Sequence, residues 1–424
     1  MSQIKPAERS NLRQAHWGLI SQALNTGSNF LLSVLVARAV TATEFGAFAV
    51  VMVLYMVGVA IVRTTGIDVL SISYAGTDEL RPRARGMLTY ACSIGVLFGL
   101  LCTGVGVLLI GRLDPTYVLL AGSLPLLFGQ EAMRGVAFAR GQPKSAASND
   151  GLRAVLQVAV VATFGLSGSV TIFAAVSAWA FSGSVAGIVA CLAWRHAPAV
   201  QWPHRWFIEN RALAAPLGAS GMLAYLPKNL TYLLMPSVAL LSELGVLRAA
   251  YLFFGPLGML HLTLRSLILP DAARISSARA VHRLFIQATL VISAISVGWG
   301  VLVVALPDPV GLWLLGDLWN GTFVPRILLG VSLVAEAVMT CAVGALGTFG
   351  LAKRIVRVQL IMAPLTLVGV LALAAAYGAT GAAAGFALCY SASAVLAWVL
   401  IPSGARLDDI SVGSTGRPNE MGRT

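Results

Sequence analysis

Gly86-Met-Leu-Thr-Tyr-Ala-Cys-Ser-Ile-Gly-Val-Leu-Phe-Gly-Leu-Leu-Cys-Thr-Gly-Val-Gly-Val-Leu-Leu-Ile110 contains no charged side chain. A helix needs about 20 such residues to cross the hydrocarbon layer of a bilayer. The stretch shows no strict apolar/polar alternation, so it reads as a spanning helix and not as a strand of a membrane barrel. Residues 154–175 and 365–377 repeat the pattern. The whole chain agrees: of 424 residues 58% are hydrophobic and only 11% charged, with a mean hydropathy of +0.83. Soluble domains carry about 25% charged residues, so too few are present here to cover such a chain with a water-facing surface. The expected fold is all-α, a polytopic membrane protein, and an outer-membrane barrel is excluded.

Twelve candidate spans follow, at about 17–37, 45–63, 87–110, 117–138, 153–171, 172–194, 213–236, 244–268, 284–306, 323–349, 355–377 and 380–401. The cations sort by side. Lys5, Arg9 and Arg13 precede the first span, and Arg63, Arg81, Arg83 and Arg85 follow the second. Arg134, Arg140, Lys144 and Arg153 surround the fourth connection; Arg195, Arg205 and Arg211 lie in the sixth. Arg265, Arg274, Arg279 and Arg283 lie in the eighth, Lys353, Arg354 and Arg357 in the tenth, and Arg406, Arg417 and Arg423 in the tail. These are 24 of the 29 Lys and Arg, leaving Arg38, Arg112, Lys228, Arg248 and Arg326. Cytoplasmic loops retain Lys and Arg, which predicts two cytoplasmic termini and an even number of spans. The apolar run after the polar residues 1–15 has the length of a full span and no convincing cleavage site, so it is expected to stay in the mature protein.

The connection from Arg195 to Ala212 carries Trp202, Trp206 and Phe207 beside Arg205 and Arg211, the pattern of a short helix in the headgroup layer. It divides the chain into an N-terminal six-helix lobe (1–195), a cytoplasmic linker with that interfacial helix (196–212), a C-terminal six-helix lobe (213–402) and a cytoplasmic polar tail (403–424). A faint repeat supports two halves: Thr41-Ala-Thr-Glu44-Phe-Gly46 enters the second span, and Leu241-Ser-Glu243-Leu-Gly245 enters the eighth. Transporters are commonly built from two such halves.

The net charge of +12 does not point to nucleic acid, because the cations are scattered between apolar spans instead of forming one basic face. The five cysteines lie inside apolar segments without C-x-x-C spacing, as small core residues do. No Gly-Lys dipeptide occurs, which removes the phosphate loop of nucleotide hydrolases, and the five histidines have no metal-ligand spacing. No catalytic group, cofactor or metal is expected, and the chain does not read as an enzyme. For His261, four residues before Arg265, a headgroup contact is expected over a proton relay.

Polar residues inside the spans are the informative ones, because an ionised group there costs about 2.5–3.5 kcal/mol unless protein or water receives it. Gln22, Asn25, Asn29 and Ser33 share one face of the first span. Tyr225, Lys228 and Tyr232, with Asn229 beside them, do the same on the seventh. Two polar-faced helices at equivalent places suggest a shared wet cavity, the competing reading being hydrogen bonds that hold the bundle together. Lys228 stands about 22 Å along its span, and Arg248 about 9 Å below the outer surface on the eighth. Cations at such depth suit a phosphate-bearing substrate. Glu131, Arg134 and Glu336, toward the cytoplasmic half of spans four and ten, are candidates for ion or proton coupling, with an internal ion pair the alternative for Glu131 and Arg134.

Four motifs carry a family resemblance. Arg38-Ala-Val-Thr-Ala-Thr-Glu44-Phe-Gly46-Ala-Phe48, Glu243-Leu-Gly245 through Tyr251 to Pro270, Leu314-Leu-Gly316-Asp317-Leu-Trp319, and Tyr377-Gly-Ala-Thr-Gly381-Ala-Ala-Ala-Gly385 resemble polysaccharide-export, Wzx-type flippases. Those belong to the multidrug/oligosaccharidyl-lipid/polysaccharide (MOP) exporter superfamily. The resemblance implies about twelve transmembrane helices in two six-helix lobes of MOP/MATE type. It also implies translocation of an undecaprenyl-pyrophosphate-linked oligosaccharide from the cytoplasmic to the outer leaflet of a bacterial plasma (inner) membrane. Expected partners are that lipid-linked oligosaccharide and membrane lipids, with a polysaccharide polymerase and glycosyltransferases as neighbours in surface-polysaccharide synthesis. The family has no short site signature, so the site residues rest on polarity alone. The alternatives are a small-molecule or multidrug exporter of the same superfamily or the major facilitator class, and a membrane-embedded glycosyl-lipid enzyme. Gly76-Thr-Asp-Glu-Leu80-Arg81-Pro82 lacks the facilitator pattern G-x-x-x-D-R-x-G-R.

Overall fold

The computed structural model describes residues 6–402 apart from 112, 167–170, 259, 262–267, 269–271, 273–274 and 276. The first five residues, Arg112, Arg265, Pro270, Arg274 and the polar tail lie outside the described residues, as do residues 167–170 at the end of the fifth expected span.

Helices alone make up the regular structure of the described residues. They run α1 Pro6–Ala39, α2 Ala42–Val62, α3 Asp68–Tyr74, α4 Leu80–Ile110, α5 Pro115–Ala139, α6 Pro143–Leu166 and α7 Ile172–Ala193. After them come α8 His204–Glu209, α9 Arg211–Leu234, α10 Leu241–Leu252, α11 Ala278–Val304, α12 Asp308–Leu315, α13 Phe323–Thr348 and α14 Ala352–Val399. Each of the twelve expected spans meets a helix. The chain is an all-α, polytopic membrane protein: seven helical stretches among the described residues are long and apolar enough to cross a bilayer. Helices α5, α6 and α9 match three more of the expected spans, and the first two hold the polar cluster described below. Leu100, Leu108, Val368 and Leu388 are largely exposed, an apolar surface that water would penalise and lipid accepts.

By packing, Met1–Leu233 with Trp313–Asp317 forms one compact unit, and Leu234–Leu312 with Leu318–Thr424 the other, as far as they are described. Helix α9 is thus grouped with the first unit.

Local chemistry sets the helix ends. Thr41 and Glu44 form a capping box at the start of α2: Thr41 Oγ1 accepts from the Glu44 amide at 3.3 Å, and Glu44 Oε2 accepts from the Thr41 amide at 2.9 Å. The matching Glu243 acts at a distance. Its Oε2 accepts from the Ala379 amide at 2.7 Å, closing a break in α14 where Tyr377 and Gly378 leave helical geometry. Gly378 has φ +59°, and a Cβ there would stand 2.4 Å from Glu243 Oε2, so only glycine fits. That break separates the two spans expected at 355–377 and 380–401.

Two expectations need correction. The eighth span is not one continuous helix: α10 ends in a turn at Phe253 and Phe254, just before Pro256, which cannot donate to a helical ladder. The stretch 306–322, between the ninth and tenth expected spans, is itself structured by α12 and a 3-10 turn over Gly316–Gly321. Trp206, expected among lipid headgroups, is packed inside the protein instead: it is 2% exposed and its Nε1 donates to the Thr65 carbonyl at 3.0 Å. That carbonyl lies in a π-helical turn, Arg63–Ile67, whose wider hydrogen-bond ring here holds a carbonyl bonded by Trp206. Trp202 is 76% exposed.

Candidate functional site

Helix α5 carries Gln130, Glu131 and Arg134 on a buried face, and α6 carries Asn149, Asp150, Arg153 and Gln157 at the three- and four-residue steps that keep one face. With Ser21 and Gln22 of α1 and Arg63 of the π-turn they form one ionic network inside the first unit. Glu131 Oε1 lies 2.7 Å from Arg63 Nη2 and 3.5 Å from Arg134 Nη1. Arg134 Nε lies 3.0 Å from Asp150 Oδ2, and its Nη2 donates to Gln22 Oε1 at 2.7 Å. Ser21 Oγ donates to Asp150 Oδ2 at 2.5 Å. Gln130 Nε2 donates to Asn149 Oδ1 at 3.0 Å, Asn149 Nδ2 to the Ala186 carbonyl at 2.7 Å, and Arg153 Nη1 to Gln130 Oε1 at 3.2 Å. The Arg153 guanidinium stacks on Trp179, 5.8 Å from the ring centre, while its Nε and Nη2 are buried with no acceptor among the described residues.

Three guanidiniums thus face two carboxylates, and with both ionised the network keeps one positive charge. The side chains of Glu131 and Arg134 are 6% exposed and that of Asp150 is 0%, whereas that of Arg63 is 45% exposed. Arg63 is therefore where the network meets its surroundings. Asp68 and Tyr225 are its next charged or titratable neighbours. A guanidinium held by one carboxylate oxygen on one nitrogen keeps several donors in a planar fork, the geometry that binds phosphate through two parallel bonds.

The expected site residues divide between the two units. Gln22, Glu131 and Arg134 belong to the network, so Glu131 and Arg134 occupy ion pairs, the alternative that the sequence left open beside coupling. Asn25 and Asn29 share α1 with Gln22 and bond to each other at 3.3 Å. On α9, Tyr225 is exposed, Lys228 half-buried and Tyr232 buried, and Asn229 Nδ2 donates to the Tyr225 carbonyl at 2.7 Å. In the second unit Arg248 is half-buried with its guanidinium 5.9 Å from the Tyr251 ring. Glu336 of α13 lies within electrostatic reach of His261. His261 is not at a headgroup: it is buried, with Nε2 2.9 Å from Ser296 Oγ.

Arg63, Asp150 and Arg153 escape a reading by span. Arg63 and Arg153, with Arg134, count as loop cations under the charge rule, yet they sit in the network because carboxylates neutralise them there. The signal was the polar periodicity Asn149-Asp150, Arg153, Gln157, hidden because the apolar window opens at 153.

No described protein family and no curated protein matches this chain. Solved structures do. The chain is similar to the lipid II flippase MurJ in an inward closed conformation, with a TM-score of 0.73 and 11% identity, over 90% of this chain and 86% of that one. It is similar to an inward-facing multidrug resistance MATE family transporter of the MOP superfamily, with a TM-score of 0.69 and 12% identity, over 90% and 96%. A MOP superfamily transporter from Pyrococcus furiosus aligns with a TM-score of 0.58 and 12% identity, over 92% and 94%. The fold is that of MOP-superfamily transporters.

Proposed function

We propose that the protein is a flippase that carries an undecaprenyl-pyrophosphate-linked oligosaccharide from the cytoplasmic to the outer leaflet of a bacterial inner membrane. It would work by alternating access and serve surface-polysaccharide synthesis (O-antigen, capsule or exopolysaccharide). The observation that supports this reading best is the half-open Arg63 guanidinium at the edge of the network, held there by one oxygen of Glu131. An anion is the ligand such a group favours, and a cationic drug is not. Lys228 and Arg248 are the other cations proposed to draw the diphosphate. The polar faces with Gln22, Asn25, Asn29, Tyr225, Asn229 and Tyr232 would accommodate sugar hydroxyls, and the lipid tail would stay in the bilayer. Glu131, Arg134 and Glu336 are proposed for coupling, the first two through exchange of their ion pairs.

The test is leaflet exposure of the lipid-linked sugar. Deleting the gene should cause lipid-linked oligosaccharide to accumulate on the cytoplasmic leaflet. Arg63→Ala, Lys228→Ala and Arg248→Ala should reproduce that defect in protein inserted at normal levels. Surface glycan at wild-type amounts in all three variants would refute the reading. A small-molecule exporter is the second reading, favoured by the alignment over 96% of a MATE transporter. Drug resistance on expression, with surface glycan unaffected by deletion, would establish it.

A further inference from the structure

The positive-inside rule accounts for arginines at one end of the spans, but it does not require them to converge. Three of them do. The first turn of α4 with the residues before it, the turn between α5 and α6, and the end of α7 meet around a cavity of about 450 Å³ in the first unit. Its polar walls are Asp78, Arg81, Arg140, Gln142, Arg195 and His196. Arg140 lies about 9 Å along α5 from Arg134, so the cavity stands apart from the buried network. Neither Arg81, Arg140 nor Arg195 has a side-chain hydrogen bond or ion pair to a described residue. Asp78 is the one carboxylate in the wall.

The backbone adds a second observation. The end of α7 is a Schellman turn, with the His196 amide donating to the Cys191 carbonyl at 2.9 Å. Its left-handed position, φ +52°, is filled by Arg195, the only non-glycine with positive φ among the described residues. Glycine would sit there without strain. A side chain kept at such a place points to a use for its guanidinium. His196 follows, 3% exposed, with Nδ1 bonded to the Trp194 carbonyl. Its burial above all, and then the guanidiniums of Arg140, Arg81 and Arg85, hold the imidazole below its usual range. The connection running on from His196 carries exposed Trp202, a side chain that favours the headgroup level of a bilayer.

We propose that this cavity, walled by Arg81, Arg140 and Arg195, is a binding site for a phosphate-bearing anion. Basic pockets at the ends of membrane helices take lipid headgroup phosphates, and a soluble phosphate offers the same chemistry. The site is independent of the flippase reading, since it shares no residue with the groups proposed there.

Arg195→Gly is the decisive variant, because it removes the guanidinium and relieves the backbone, and so cannot lose binding by failing to fold. Purified protein in phosphatidylcholine nanodiscs would be melted with and without 20% cardiolipin, and separately with inorganic phosphate against sodium chloride at matched ionic strength. Wild-type protein should gain melting temperature from one of the two phosphate sources. Arg195→Gly should melt at or above wild type in neutral lipid and lose most of that gain; Arg81→Ala/Arg140→Ala/Arg195→Gly should lose all of it. A gain from cardiolipin alone identifies a headgroup, and one from inorganic phosphate alone a soluble anion. No gain from either, or an equal gain in wild type and both variants, overturns the proposal.

Discussion

Single side chains in the network differ in what their loss would leave behind. Glu131 touches Arg63 and Arg134, and Asp150 touches Arg134, Ser21 and Gln130. Removing either carboxylate leaves Arg134, which is nearly inaccessible, with one carboxylate partner where it had two. Removing one partner of a buried pair costs about 3–5 kcal/mol, because the other charge stays unsolvated. Glu131→Gln and Asp150→Asn are therefore expected to lower stability by about 3 kcal/mol, read as a fall in melting temperature in detergent. Arg63→Gln should cost less than about 1 kcal/mol, because Glu131 keeps Arg134 and the Arg63 side chain is already 45% exposed. Equal losses in the three variants would mean that the network is not organised around Arg134. The reverse order is expected for transport, with Arg63→Gln the most damaging, since Arg63 alone of the three guanidiniums has substantial exposure.

Helices were legible in the sequence wherever bilayer thickness dictates their length, as in α4 and α13, and less so where they interrupt themselves. Nothing in the apolar run through Val62 announces the π-turn Arg63–Ile67, because its cause is tertiary: the Trp206 indole takes the Thr65 carbonyl. The start of α6 was hidden for the opposite reason. Its first residues are polar yet buried, and burial of Asn149 and Asp150 depends on Gln130 and Arg134 from another helix. Gly95 and Gly99 of α4 have the four-residue spacing that lets helices approach closely, and a Cβ there would come within 2.5 Å of Pro125 Cα and 2.6 Å of the Ala121 carbonyl. Gly95→Val is expected to push α4 from α5 and lower yield and melting temperature. At the break in α14, Gly378→Ala should cost about 1–3 kcal/mol from its left-handed φ and from displacing Glu243. Glu243→Gln, which keeps an acceptor for the Ala379 amide, should lose much less. A Gly378→Ala protein that melts with wild type would show that the break is not held by Glu243.

Orientation in the membrane is a property of the entire chain, and three of the cations that argued for it have other work. Arg63, Arg134 and Arg153 belong to the ionic network, and removing them from the 24 on one side leaves 21 against five. One of those five, Arg326, is buried against the Trp319 ring at 3.5 Å and donates to the Val303 carbonyl, so it too is a structural cation and the bias strengthens. The asymmetry predicts that the turns near Gln142 and Gly350 face the cytoplasm and those near Asp114 and Ala239 face outward. Alkaline phosphatase fused after Asp114 or Ala239 should be active and after Gln142 or Gly350 inactive, with green fluorescent protein reporting the opposite pattern. Phosphatase activity at Gln142 would invert the chain. The cavity of Arg81, Arg140 and Arg195 would then open to the outer leaflet, and a carrier loading its substrate from the cytoplasm would have to meet it at the end now assigned to release. On the proposed reading, the orientation therefore decides which end of the carrier loads its substrate, as well as the leaflet whose phosphates reach that cavity.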